Sequence, residues 1–109
     1  MSELGSLQGL FETAQRIQAE MARVKAELVN KTVSAETGGG LIKCTANGKG
    51  DVLSLEIDPS LLAPDSARML ADLTVAAVNL AIERARQLAQ EEIVKASGGL
   101  PLPPGMFGG

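Results

Sequence analysis

Apolar residues recur with an unbroken heptad spacing along the N-terminal part of the chain. Alternating steps of three and four residues separate them, in the order Leu7, Leu10, Ala14, Ile17, Met21, Val24 and Leu28. This spacing approximates the turn of an α-helix and therefore places all of them on one side of it. Ser6 is a suitable N-cap, and no proline interrupts the segment before Asn30. The pattern predicts one long helix of coiled-coil type over about residues 6–30.

The middle of the chain changes to an alternation of apolar and polar residues. Three runs show it, at 31–36, 41–47 and 52–58, with glycine-containing turns at 37–40 and 47–51. Alternation with short turns is typical of an antiparallel meander that has one apolar face. The residues predicted on that face are Val33, Ala35, Ile42, Cys44, Ala46, Leu53, Leu55 and Ile57.

A second long helix is predicted after a short helical turn. The turn is the string Asp58-Pro59-Ser60-Leu61-Leu62, in which Asp58 is the cap and Pro59 the first helical residue. The helix begins at Pro64-Asp65 and continues to about Ala96, before Ser97-Gly98-Gly99. Its apolar residues form two stripes, one with Leu70, Leu73, Ala77 and Leu80, the other with Val75, Val78, Ile82, Ala85 and Ala89. A helix that is apolar over so much of its circumference is buried on two sides.

The predicted fold is therefore α+β: a long helix, a three-stranded antiparallel meander, a short helical turn and a second long helix. The length of the chain favours a single domain, over residues 1–99. The segment 100–109 is rich in proline and glycine, and we expect it to be a mobile tail.

The two helices are too long for a compact domain of this size. A domain of 109 residues has a radius of gyration of roughly 13 Å, whereas a helix of about 30 residues is about 45 Å long. Both helices therefore project beyond the sheet, and their apolar stripes would be exposed to water unless another helix packs against them. Either the helices pair with each other or a second subunit covers them, and the two stripes of the second helix favour both arrangements. We expect a two-fold homodimer. The candidate interface residues are Leu73, Ala77, Leu80, Val75, Val78 and Ile82.

Composition argues against catalysis. The chain has no histidine, no tryptophan or tyrosine, and one cysteine, Cys44. The commonest general base and any multi-cysteine metal cluster are therefore missing. We expect no enzyme activity, no cofactor, no bound metal and no small-molecule substrate. Cys44 fits a buried small apolar residue better than a reactive thiol. No apolar run is long enough to cross a membrane, so we expect a cytoplasmic protein.

Three strings in the middle of the chain resemble the YbaB/EbfC family of bacterial nucleoid-associated proteins. They are Gly38-Gly39-Gly40-Leu41-Ile42-Lys43, then Asn47-Gly48, then Leu55-Glu56-Ile57-Asp58-Pro59-Ser60-Leu61-Leu62. The flanking helices and the string Leu102-Pro103-Pro104-Gly105 extend the resemblance over essentially the whole chain. It implies a dimer shaped like tweezers that binds double-stranded DNA with little sequence preference. It also implies a role at the nucleoid, in its organisation or in gene regulation, and no catalysis.

The basic residues that would contact DNA lie on the two helices. The candidates are Arg16, Arg23, Lys25, Arg84, Arg86 and Lys95. Two features oppose this interpretation. The net charge is −3, whereas DNA-binding proteins are usually basic. The spacing of Arg16, Glu20, Arg23 and Glu27 predicts a self-neutralising ladder on the first helix. The alternative is a non-enzymatic adaptor whose projecting helices bind another protein.

Overall fold

Two long helices flank a three-stranded sheet in the structure of this chain, a computed structural model that describes residues 3–98. The elements follow the order α1 Glu3–Leu28, β1 Thr32–Thr37, β2 Ile42–Asn47, β3 Val52–Ile57 and α2 Ala67–Ala96. Two short 3-10 turns, Pro59–Leu62 and Pro64–Ser66, connect β3 to α2. The predicted α+β class and element order are confirmed. The predicted tail, 100–109, lies outside the described residues, and the dimer stays a prediction.

The sheet is an antiparallel meander in the order β1-β2-β3, as the alternation predicts. Its core face carries Ala35 on β1 and Ile42, Cys44 and Ala46 on β2, all of them buried. Helix α2 lies across this face through Ala77, Ala81 and Ala85, which recur every four residues and are also buried. Because alanine carries only a methyl group, this stripe lets the helix lie close to the sheet.

The alternation of β3 is broken by a β-bulge. Thr45 pairs with Ser54, but the next residue, Ala46, pairs with Val52, which leaves Leu53 without a partner in the register. Val52, and not Leu53, therefore stands across from the buried Ala46. The predicted unbroken alternation is wrong at this position, because the extra residue shifts the strand by one.

A second, smaller hydrophobic cluster joins α1 to α2. Val24, Leu28 and Ile93 are buried there, with Met21 and Ala96 partly buried against them. The molecule extends over 76 × 22 × 16 Å, although α1 and α2 are about 39 and 45 Å long. The helices therefore overlap over only part of their lengths, and residues 6–19 of α1 are all exposed. The predicted projection of α1 beyond the sheet is confirmed. Over residues 3–98, neither helix is long and apolar enough to span a membrane.

Candidate nucleic-acid interface

All six candidate DNA-binding residues are exposed on the helices. Three of them lie on α1, namely Arg16, Arg23 and Lys25, and three on α2, namely Arg84, Arg86 and Lys95. Their chemical surroundings differ, and their ion pairs and hydrogen bonds separate them into three groups.

Arg23 and Lys95 are already partnered by carboxylates. Arg23 donates hydrogen bonds to Glu20 and, at 2.7 Å, to Glu27. The hydrogen bond from Arg23 lowers the pKa of Glu20, and the two carboxylates raise the pKa of Arg23. Lys95 Nζ lies 3.9 Å from an oxygen of Glu92. These cations would have to exchange one anionic partner for another in order to contact phosphate.

Glu92 is shared between two lysines. Its other oxygen lies 3.1 Å from Nζ of Lys31, the residue just before β1. The hydrogen bond from Lys31 is the main reason that the pKa of Glu92 is lowered, and the charge of Lys95 adds to it. This pair connects α2 to the segment between α1 and the sheet.

Arg16, Lys25 and Arg86 have no carboxylate oxygen within 4.0 Å among the side chains of residues 6–98. The predicted Arg16–Glu20 contact does not form, because Glu20 pairs with Arg23. Lys49 is also unpaired within the described chain and is exposed in the turn between β2 and β3. The sequence pattern does not single it out, although its place between Gly48 and Gly50 is a signal of exposure. These four side chains are the cations most available to an external anion.

Arg84 has a different partner. Its Nη1 donates a 2.6 Å hydrogen bond to the backbone carbonyl of Ser34 on β1. On the same flank of α2, Thr37 Oγ1 donates to the carbonyl of Leu73 at 2.8 Å. These bonds tie one flank of α2 to β1, so Arg84 has a structural role besides any contact with DNA.

An apolar surface remains open on the opposite flank of α2. Leu55 pairs with the buried Cys44 and so lies on the core face, yet it is 37% exposed because α2 packs mainly over β1 and β2. Helical geometry places Val75, Val78 and Ile82 about half a turn around α2 from Leu73. Leu73 is on the flank next to β1, so these three residues are on the side of α2 that faces β3. We call the set Val52, Leu55, Val75, Val78 and Ile82 the β3–α2 face.

The six predicted interface residues divide between three environments. Val75, Val78 and Ile82 belong to the β3–α2 face, with Val75 60% exposed. Leu73 and Leu80 lie on the flank that meets β1. Ala77 is fully buried in the core that α2 forms with the sheet. Sequence reasoning missed Leu55 as a surface residue, because its exposure depends on where α2 crosses the sheet. It missed Val52 on the core side of β3, because the bulge at Leu53 changes the alternation.

Other polar groups have local structural partners. Asp58 caps the first 3-10 turn by accepting a hydrogen bond from the backbone N–H of Ser60 at 2.9 Å, which lowers the pKa of Asp58. Glu56 lies 4.0 Å from Lys43 across the polar face of the sheet. Cys44 is buried as predicted, and burial raises the pKa of its thiol. Among the side chains that the structure describes, at 6–98, no group of three or more acidic or cysteine residues is arranged to hold a metal ion.

The sequence matches the YbaB/EbfC DNA-binding family over residues 4–100. A nucleoid-associated protein of Acetivibrio thermocellus is 42% identical over 103 residues, which cover 94% of this chain and 91% of that protein. Another, from Anaeromyxobacter sp. strain Fw109-5, is 43% identical over 97 residues, covering 89% of this chain and 94% of that one. A crystal structure of an uncharacterized protein from Helicobacter pylori shares the fold with a TM-score of 0.62 at 21% identity, covering 84% of this chain and 92% of that one.

Proposed function

Because this chain belongs to the YbaB/EbfC DNA-binding family, we propose that it binds double-stranded DNA at the nucleoid as a homodimer with low sequence specificity. The match over residues 4–100, almost the whole chain, is the observation that carries this proposal. The physiological role would be organisation of the nucleoid or regulation of gene expression. We propose no catalytic step, and the family description names a DNA-binding protein.

Phosphate contacts from the unpaired cations account for such binding. Arg16 and Lys25 extend from α1, and Arg86 extends from α2, without a carboxylate partner in the described chain. Arginine and lysine contacts to phosphates hold a protein on the duplex but carry no sequence information. Arg23, Arg84 and Lys95 would contribute less, since each already has a partner within the chain. Affinity should therefore be modest and should fall steeply with salt.

A homodimer would solve two problems of the single protomer. The β3–α2 face is a partly exposed apolar surface that no other element among residues 3–98 covers fully, and such surfaces in soluble proteins commonly mark an interface. In an isologous contact, the β3–α2 face of one subunit would pack against the β3–α2 face of the other, and both would be buried. The dimer would also double the number of unpaired cations, which a chain of net charge −3 needs in order to hold an anionic duplex.

Electrophoretic mobility shifts on several unrelated duplexes, over a series of salt concentrations, test the DNA contact. We expect a shift at low salt on all duplexes, with a strong loss of affinity as salt rises. Light scattering at micromolar concentration tests the dimer, and the mass of a single chain, 11.3 kDa, would contradict it. A stable dimer that shifts no duplex even at low salt would favour the adaptor function instead.

A further inference from the structure

The exposed half of α1 carries an apolar surface that is separate from the β3–α2 face. We call it the arm stripe: Leu7, Leu10, Phe11, Ala14 and Ile17. Leu10 is 68% exposed and Phe11 66% exposed, although both are large apolar side chains. The same heptad positions continue into Met21, Val24 and Leu28, which pack against α2. The arm stripe is therefore the uncovered continuation of an interface that already binds a helix.

The residues beside the stripe indicate what kind of helix covers it. In the heptad, Phe11, Thr13 and Gln18 flank the apolar positions along the arm, and none of them is charged. The charged residues Glu12 and Arg16 lie on the outer side of the helix. Flanking charges of a single sign would select a partner of opposite sign and repel an identical helix. Over its exposed length before Glu20, this arm has no charged residue at a flanking position, so no flanking charge repels a second copy of the arm.

We propose that the arm stripe binds the arm stripe of a second copy of this chain in an antiparallel pair. A parallel pair would bring the second copy's sheet and α2 alongside the segment from Met21 to Leu28, where α2 of the first copy already packs. An antiparallel pair places the two sheets at opposite ends of the contact. The proposal goes beyond the proposed function, because it uses a surface other than the β3–α2 face and links one dimer to another.

The heptad fixes the register of this pair. Leu7 and Ala14 occupy position a of the heptad, and Leu10 and Ile17 occupy position d. In an antiparallel pair each a position contacts a d position of the partner. Leu7 therefore meets Ile17 of the second copy, and Leu10 meets its Ala14. The small Ala14 side chain leaves room for the larger Leu10. The two copies of Phe11 then lie beside each other next to the symmetry axis, as an aromatic pair. The distance from Leu7 to Ile17 is about 15 Å along the helix, so the contact is short and its association is weak.

Sedimentation velocity over a rising protein concentration is the first test. We expect the wild-type mass to increase above that of a dimer as the concentration rises, because each dimer presents two arms and each arm joins one further dimer. Leu10→Asp should abolish this second step while helix content, the dimer and the DNA shift remain. Ala19→Asp adds the same charge on the opposite side of α1 and should leave the second step intact. Equal masses for the wild type and Leu10→Asp at every concentration would overturn the proposal, without affecting the test of DNA binding.

Disulfide trapping tests the orientation. We expect a mixture of Leu10→Cys and Ala14→Cys proteins to cross-link several-fold more than either variant alone, because these positions meet only across an antiparallel pair. The wild type, whose Cys44 is buried, is the background control. Efficient cross-linking of Leu10→Cys with itself would indicate a parallel pair and overturn the orientation.

A truncated chain gives a further test. A wild-type dimer that associates further only after removal of residues 99–109 would show that the chain's own C-terminal segment covers the stripe, and would overturn the proposal.

Discussion

Gly48 lies in direct contact with the last residue of α1, Leu28. The N–H of Gly48 donates to the carbonyl oxygen of Leu28 at 2.9 Å, and a Cβ atom at position 48 would lie 2.9 Å from that oxygen and 2.7 Å from Cδ2 of the Leu28 side chain. Asn47 holds the turn in place, since its Oδ1 accepts hydrogen bonds from the N–H groups of Lys49 and Asp51, both at 3.0 Å. The missing side chain at position 48 is thus what allows the end of α1 to reach the sheet.

The substitution Gly48→Ala should destabilise the protein, because the added methyl group meets a backbone oxygen that cannot move without shifting α1. Overpacking of this kind costs about 1–3 kcal/mol. Gly9→Ala is the matched control: it lies within α1 with open space around it, and alanine favours a helix over glycine by about 1 kcal/mol. Thermal unfolding followed by circular dichroism should show a lower Tm for Gly48→Ala alone. Equal Tm values would contradict the close approach of Leu28.

The ion pairs predict an order among the arginines in DNA binding. Arg16→Gln and Arg86→Gln each remove an unpaired cation, and each should weaken binding several-fold on every duplex. Each should also reduce the slope of log affinity against log salt by about 1, as expected for one lost phosphate contact. Arg23→Gln should have a smaller effect, because Glu20 and Glu27 already partner that guanidinium. Fluorescence anisotropy with a labelled duplex measures all three, and a larger loss for Arg23→Gln would refute the ranking.

The β3–α2 face predicts a variant that separates the dimer without unfolding the chain. Leu55→Asp places a charge on this face at an edge strand, where the side chain is partly exposed in the protomer and would be buried only in the dimer. Ser54→Asp introduces the same charge on the opposite face of the strand and is the control. Light scattering should give a monomer mass for Leu55→Asp and a dimer mass for Ser54→Asp. If Leu55→Asp remains a dimer, the interface lies elsewhere.

The Lys31–Glu92 pair predicts a dependence of stability on pH. Because the pKa of Glu92 is lowered in the folded chain, its stabilising effect is complete above the ordinary pKa of the unfolded chain, 4.5. The effect decreases as the pH falls through the lower folded value. Glu92→Gln should therefore have a lower Tm than the wild type at pH 7, and the difference should diminish below about pH 4. Glu91→Gln, on the exposed side of α2, should match the wild type at both pH values. A constant difference for Glu92→Gln would exclude the ion pair as its cause.

Local patterns in the sequence were sufficient to predict the elements and their order. The heptad from Leu7 to Leu28 specifies α1, and the alternation specifies the three strands, because both signals depend on neighbouring residues only. The bulge at Leu53 could not be predicted in this way, since it arises from pairing with Thr45 and Ala46 on β2. The exposure of Leu55 depends in turn on the path of α2 across the sheet.

The charge ladder on α1 shows the same limit. Spacing alone allows Glu20 to pair with Arg16, four residues before it, or with Arg23, three residues after it. In the structure Glu20 pairs with Arg23, and Arg16 has no carboxylate within reach in the described chain. The sequence thus identified the candidate basic side chains on the two helices but could not rank them, because the ranking depends on rotamers.

The cluster of Val24, Leu28 and Ile93 shares no residue with the cluster between α2 and the sheet. Separate hydrophobic clusters often open as separate cooperative units in native-state hydrogen exchange. We therefore expect the amides of α1 to exchange together, at a lower free energy than those of β2, when this small cluster opens. Transient detachment of α1 would leave the sheet and α2 folded, so the orientation of the projecting helix can fluctuate while the rest of the protomer keeps its structure.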